Sequence, residues 1–297
     1  MTVLLAALSA LTFGTGDFLG GLSSKRMSAA VATITAQFVG LVLILAVCLV
    51  VTGSPTGRDF WMGALAGAAG GGGLTMFYWA MSVGPMSVIA PVSALLNAFV
   101  PVLAGFVKGE RPAPLALLGI IVAVPAILLI SREPSEPEKI LAGSAPSDGS
   151  GSRQRTMLSR IGGLPVVAGA VAGVCFGFFF VFLNEASNDS GLWPIVSARA
   201  TAVIVVTAAA LVTRVSMPTK TGLLLAAGAG CLDVVGNTFY LLATRRGLII
   251  LVGVVSAMYP ASTVLLARSV LKERMARHQI LGLVIAGLAV TLIALAA

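Results

Sequence analysis

The chain has 297 residues, of which 58% are apolar and only 10% charged, with a mean hydropathy of +1.02 and a formal net charge of +8. A soluble domain carries about 25% charged residues, so this composition excludes one and indicates a polytopic membrane protein. The basic residues stand singly or in pairs between apolar segments, which excludes a nucleic-acid-binding patch and matches the loops of membrane proteins.

A helix needs about 20 apolar residues to cross the hydrocarbon. The first such stretch is Val3–Leu22. It has no basic leader and continues past Asp17, so it is expected to be an uncleaved span. Ala30–Val51 follows with Gln37 inside it, then Phe60–Val83, whose Gly63, Gly67 and Gly71 recur every four residues. That spacing bares one helix face for close packing. The run Gly70–Gly73 has no Gly-Lys-Ser/Thr ending and is not a phosphate loop. Met86–Val107 carries Asn97, with Ser93 and Pro101 on much the same face, and Leu115–Ile130 is short.

A long polar break, Ser131 to Arg160, interrupts the apolar pattern. Its Pro, Ser, Gly and charged residues cannot bury apolar surface, which predicts a solvated linker. Five more stretches follow: Ile161–Leu183, Trp193–Val212 with Arg199, Gly222–Ala243 with Asp233 and Asn237, Leu248–Val270 with Tyr259, and Ile280–Ala297. Gly169, Gly173 and Gly177 repeat the four-residue spacing. Pro91, Pro101 and Pro260 are expected to interrupt their helices. Tyr78, Trp79, Trp193 and Tyr259 fit interface anchors, and Tyr259 is also a pathway candidate. Cys48, Cys175 and Cys231 lie in apolar segments and read as packing residues. His278 reads as plain surface.

The two flanks of the break resemble copies. With a shift of 163 positions, Phe13-Gly14 falls on Phe176-Gly177, Gly67 on Gly230, Gly84 on Gly247, Ser93 on Ser256, Glu110-Arg111 on Glu273-Arg274 and Gly119 on Gly282. An internal repeat sets the frame for every local motif. Five spans per copy is odd, so the second copy enters the membrane from the opposite face, and a ligand site is expected near midplane between the halves. The predicted fold is all-α, a polytopic membrane protein with ten transmembrane helices in two inverted five-helix repeats. The repeats are 1–131 and 161–297, and 132–160 is the linker.

Asp17, Gln37, Asn97, Arg199, Asp233, Asn237 and Tyr259 form the candidate substrate or ion pathway. Ionisable groups at depth cost at least a few kcal/mol and should face the interior. Asp233, Asn237 and Tyr240 share a helix face. The plainer readings are a structural tie of the aspartates to Arg199 or to helix ends, an Arg199 that reaches a phosphate layer, and asparagines that join helices by hydrogen bonds. Gly14-Thr15-Gly16-Asp17 also fits the GxGD pattern of intramembrane aspartyl proteases, with Asp233 as partner. Here, however, the second aspartate follows Leu232 and lies far downstream, and no Pro-Ala-Leu motif occurs. A non-transporting receptor or scaffold is a third reading, disfavoured because the chain has no sizeable soluble domain.

The ordered set of motifs resembles the EamA-type branch of the drug/metabolite transporter superfamily. Lys108-Gly109-Glu110-Arg111 with Gly119, and Leu271-Lys272-Glu273-Arg274 with Gly282, are similar to the family's Gly-Glu-Arg turn and last helix. Lys272 departs from the usual Gly. Pro260 matches the proline of the penultimate helix, where the first copy has Asn97. Phe13-Gly14-Thr15-Gly16-Asp17 is similar to the motif of the first helix, with Phe in place of Trp. The resemblance implies secondary transport of small metabolites or drugs, commonly export, without ATP, cofactor or metal, in the cell membrane. Partners would be a small-molecule substrate, the lipid bilayer and a coupling proton or cation, with a homodimer as one assembly; no nucleic acid is expected. It also implies cytoplasmic termini, whereas Lys and Arg are more numerous in the loops opposite the N-terminus, which favours an exterior one.

Overall fold

A computed structural model describes residues 1–83, 86–131, 163–211, 218–271 and 276–296. The predicted linker, Gly84-Pro85, Met217 and the Lys272-Glu273-Arg274 turn lie outside the described residues. Within them the chain forms α1 (Thr2–Ser24), α2 (Ala29–Cys48), α3 (Gly57–Val83), α4 (Met86–Val107), α5 (Pro114–Ser131), α6 (Leu164–Asn184), α7 (Trp193–Leu211), α8 (Lys220–Thr244), α9 (Ile249–Ser256), α10 (Pro260–Leu271) and α11 (Arg277–Ala296). The described residues contain no strand. In hydrocarbon only a helix satisfies its own backbone polar groups, so long apolar runs are driven into this form. Six helices, α1, α2, α6, α7, α8 and α11, are long and apolar enough to cross a membrane. Shorter apolar stretches cover Val92–Val107, Pro114–Ile130 and Ile249–Thr263.

Local chemistry fixes several helix ends. The Ser28 side chain accepts the Val31 N–H at the start of α2, and Thr219 accepts the Gly222 N–H at the start of α8. The prolines behave differently from one another. The α4 backbone continues through Pro91 and Pro101, contrary to the expected interruptions. Only near Pro260 is the helix divided, into α9 and α10, because proline has no N–H to continue the ladder.

The helix starts keep the repeat spacing. Gly57 and Lys220, Met86 and Ile249, and Pro114 and Arg277 each open a helix and lie 163 positions apart. Packing is reciprocal between the halves. α1 lies on α8 and α6 on α3; α2 lies on α8 and α7 on α3; α4 packs on α6, while α9 and α10 pack on α1; α5 and α11 pair with each other.

Small residues make these approaches possible. A Cβ on Gly67 would stand 2.1 Å from the carbonyl oxygen of Ala198, and one on Gly230 would stand 2.2 Å from that of Ala36. The four-residue glycine face of α3 thus runs along α7, with Gly63 against Pro194, Gly67 against Ala198 and Gly71 against Ala202. Since the obstacles are largely backbone, no rotamer change relieves them.

One end of the bundle is tied by polar loops. Asp59 lies just before the apolar span that begins at Phe60 and is buried. Its carboxylate accepts from the N–H and Oγ of Ser187 at 2.6 and 2.9 Å, and from the N–H and Oγ1 of Thr56 at 2.7 and 2.8 Å. Burial pushes its pKa up, but these four donors prevail and hold it down to about 2. Arg245 donates to the Ser187 and Gly191 carbonyls and to Ser190 Oγ. Glu185 pairs with Arg58 at 3.2 Å and with Lys108. Arg58, Lys108 and Arg245 therefore share one end.

Gly67→Val and Gly230→Val should each cost about 2–3 kcal/mol through overpacking. At Gly72 an added Cβ would meet nothing within 4 Å, so this position should accept Ala within about 0.5 kcal/mol. Thermal unfolding in detergent micelles checks both. A depressed folded-state pKa for Asp59 means that its stabilisation is present above pH 4 and is lost as pH falls toward 2. The Tm gap between wild type and Asp59→Asn should therefore be constant above about pH 5 and shrink below pH 4.

Candidate functional site

The polar residues within the spans come from six places in the chain. α1 supplies Asp17, α2 Gln37, α4 Asn97, α7 Arg199, α8 Asp233 and Asn237, and the α9–α10 break supplies Tyr259. All seven line one cavity. It offers about 70 Å³ to the centres of water-sized molecules, against roughly 10–15 Å³ for a single water. Phe13, Phe176, Phe179 and Phe180 supply its aromatic wall, with Gly70 and Leu74 between. Phe180 stands 5.6 Å from Phe13 and 5.2 Å from Phe179, measured between ring centroids, and stacks on Tyr240 at 4.1 Å.

Arg199 is the anchor of the polar side. It is 3% exposed, donates to Gln37 Oε1 and forms an ion pair with Asp233. Asn237 Nδ2 donates to the backbone carbonyl of Asp233 at 2.8 Å and to its Oδ1 at 3.2 Å. The i, i+4 spacing on α8 makes that second bond possible. These contacts exclude the reading of Arg199 as a shallow residue reaching a phosphate layer: a guanidinium bonded to α2 and α8 has no free end to extend. Asp17 differs from Asp233. It is half-buried and has no hydrogen-bond or ion-pair partner among the described residues. Asn97 and Asn237 are buried, and the Oδ1 of each accepts no hydrogen bond.

The cavity has a symmetric frame with unlike side chains. Phe13 and Phe176, Asp17 and Phe180, Gly70 and Asp233, and Leu74 and Asn237 all line it, and each pair is 163 positions apart. Repeat-equivalent positions thus share the cavity, but at three of these four pairs one copy presents a polar side chain where the other does not.

Sequence reasoning missed the phenylalanines as walls. Phe176 was visible only as the repeat mate of Phe13, and apolar residues in an apolar span carry no separate signal. Two aromatic assignments need correction. Tyr78 and Tyr259 are 2% and 5% exposed and lie inside the protein, not at an interface: the Tyr78 ring packs against Gly20 of α1, and Tyr259 sets its backbone carbonyl against Gly14 and lines the cavity. Among the described residues no group of three or more His, Cys, Asp or Glu could hold a metal ion.

A family model described as the EamA-like transporter family matches residues 1–132 and 163–295. The chain belongs to the EamA-like transporter family. It is a multi-pass membrane protein and a membrane transporter of the drug/metabolite type. No curated protein matches it by sequence. A solved crystal structure shares its fold with a TM-score of 0.72 at 16% identity, covering 99% of this chain and 96% of the other.

The family's Gly-Glu-Arg turn has a definite task here. Gly109 takes φ +85°, a conformation that glycine tolerates and that turns the chain at the end of α4. Glu110 then reaches the start of α9, where Leu248 provides no side-chain cap. Its Oε1 accepts the Ile249 N–H at 3.0 Å and its Oε2 the Ile250 N–H at 3.1 Å. A carboxylate at a helix N-terminus satisfies orphan donors and meets the positive end of the helix dipole. The loop of one half thereby caps a helix of the other.

Replacing Arg199 by Leu should destabilise the protein by about 3 kcal/mol, since Asp233 is left without its cation. The value is at the low end for a buried pair because the Asp233 side chain is 30% exposed. Arg199→Leu combined with Asp233→Leu should recover most of the loss. Denaturant unfolding in micelles as a double-mutant cycle measures the coupling.

Proposed function

We propose that this protein is a secondary transporter that exports small metabolites or drugs across the cell membrane by alternating access between two inverted five-helix repeats. The repeats are residues 1–131 and 161–297, joined by the linker 132–160. One observation carries this reading: polar side chains from both halves converge on a single cavity inside otherwise apolar helices. The pathway is Asp17, Gln37, Asn97, Arg199, Asp233, Asn237 and Tyr259, with a small molecule and a coupling proton or cation as its occupants.

Three features support the inversion. The five spans expected per copy are odd in number, the helix starts keep the 163-residue spacing, and every major packing pair has a counterpart with the halves exchanged. The ends agree as well. The start of α3 meets the end of α6 through Arg58 and Glu185, and the start of α1 meets the end of α8 through Thr2 and the Arg246 carbonyl. In an alternating cycle the loop tie around Asp59, Arg245 and Glu185 is the contact that must open at that end.

The hydrolase reading is not favoured. An aspartyl dyad works by two carboxylates sharing a proton. Here Asp233 is engaged by Arg199 and Asn237, and Asp17 does not bond to it. The matched family is also one of transporters.

Purified protein reconstituted in liposomes should move a solute that is found by comparing metabolites retained by cells with and without it. Asp17→Asn and Asp233→Asn should each lower that flux at least about tenfold while the protein still inserts, in keeping with loss of a charged contact worth about 1.4 kcal/mol or more. Unchanged flux in both variants across a broad solute panel removes the aspartates from the mechanism.

A further inference from the structure

From the charge inventory of the cavity we infer that its ligand is a small organic monocation, an ammonium carried on an apolar or aromatic body, with Asp17 as its counter-ion. The inference rests on the transporter reading of this cavity and names the class of solute. Among the described lining residues Arg199 is the only Lys or Arg, and its charge is already matched by Asp233. It therefore has no charge to offer an anionic substrate. Its Nη1 donates to Gln37 and its Nη2 lies in ion-pair contact with Asp233, and the Asn237 amide NH₂ is directed at Asp233 as well.

Besides the Tyr259 hydroxyl, which can donate or accept, what remains unanswered in the cavity is acceptor capacity. Among the described residues the Asp17 carboxylate has no donor, and the buried Oδ1 atoms of Asn97 and Asn237 accept nothing. A carboxylate and two amide carbonyls without donors call for a group that brings several N–H donors and one positive charge. An ammonium does both, whereas a carboxylate or phosphate would add a second uncompensated anion beside Asp17. The aromatic lining strengthens the assignment. Phe13, Phe176, Phe179 and Phe180 present aromatic rings, and a desolvated cation is attracted to a ring face. The repeat frame gives the ligand a direction. Asp17 faces the cavity from the position that Phe180 holds in the other copy, so the head group belongs toward α1 and the apolar body toward α6.

The test uses three probes that differ only at the head: benzylammonium, benzyl alcohol and benzoate. Binding to the purified full-length protein in detergent is measured by calorimetry. Benzylammonium should bind at least about tenfold more tightly than either of the others, a difference of about 1.4 kcal/mol. Asp17→Asn should remove that preference and Asp17→Glu should keep part of it. If Asp17→Asn does not fold, the wild-type ranking alone decides. Equal affinities, a preference for benzoate, or binding of none of the three overturns the assignment, including the case in which a proton alone occupies Asp17. The transporter reading fails separately. If benzylammonium binds but neither it nor any other solute crosses liposomes, transport is lost and cation recognition stands. If neutral or anionic solutes are carried and benzylammonium neither binds nor competes, transport stands and the cation assignment is lost.

Discussion

The structure depends on the engagement of Arg199 by two other helices. A guanidinium on an apolar span has no water to turn to, and its transfer from water costs several kcal/mol unless anions and acceptors meet it. Gln37 on α2 and Asp233 on α8 meet it here. Because α2 belongs to one half and α7 and α8 to the other, this cluster also sets how the halves sit at the cavity. Asn237 then holds Asp233, and the polar side of the cavity becomes a preorganised unit, not a set of independent charges.

Around that cluster the protein is built from close helix contacts between the halves. Hydrophobicity does not drive helices together in lipid, so packing must come from shape, and small residues supply it. Gly67 against Ala198 and Gly230 against Ala36 are the same contact made twice, once in each direction. Glu110 adds a polar version of the same exchange, since the turn of the first copy caps α9 of the second. The result is a frame that is nearly symmetric in backbone and unlike in side chains. At the cavity that difference separates a carboxylate at Asp17 from an aromatic ring at Phe180.

Much of the frame was legible in advance because its signals are local or repeated. Apolar runs of sufficient length, glycines at four-residue spacing and the 163-residue shift need no knowledge of neighbours. The polar candidates were legible for a related reason: a charge or an amide inside an apolar run is costly, so its presence alone marks it. The prolines were less legible. Pro91 and Pro101 sit within one continuous helix while Pro260 stands at a break, and a proline carries the same local rule in each place. What its neighbours supply decides whether the chain bends, breaks or continues.

The sequence by itself determined that this chain is a helical membrane protein whose two flanks resemble each other, and which few side chains do not belong in lipid. Composition and periodicity carry that information, since both follow from the cost of placing polar groups in hydrocarbon. Only the tertiary structure decided who partners whom. It gave Arg199 to Asp233, left Asp17 without a partner among the described residues, turned Phe176 and Phe180 from anonymous apolar residues into cavity walls, and put Tyr78 and Tyr259 inside. Pairing depends on distances between helices far apart in the chain, and no residue's own chemistry contains them.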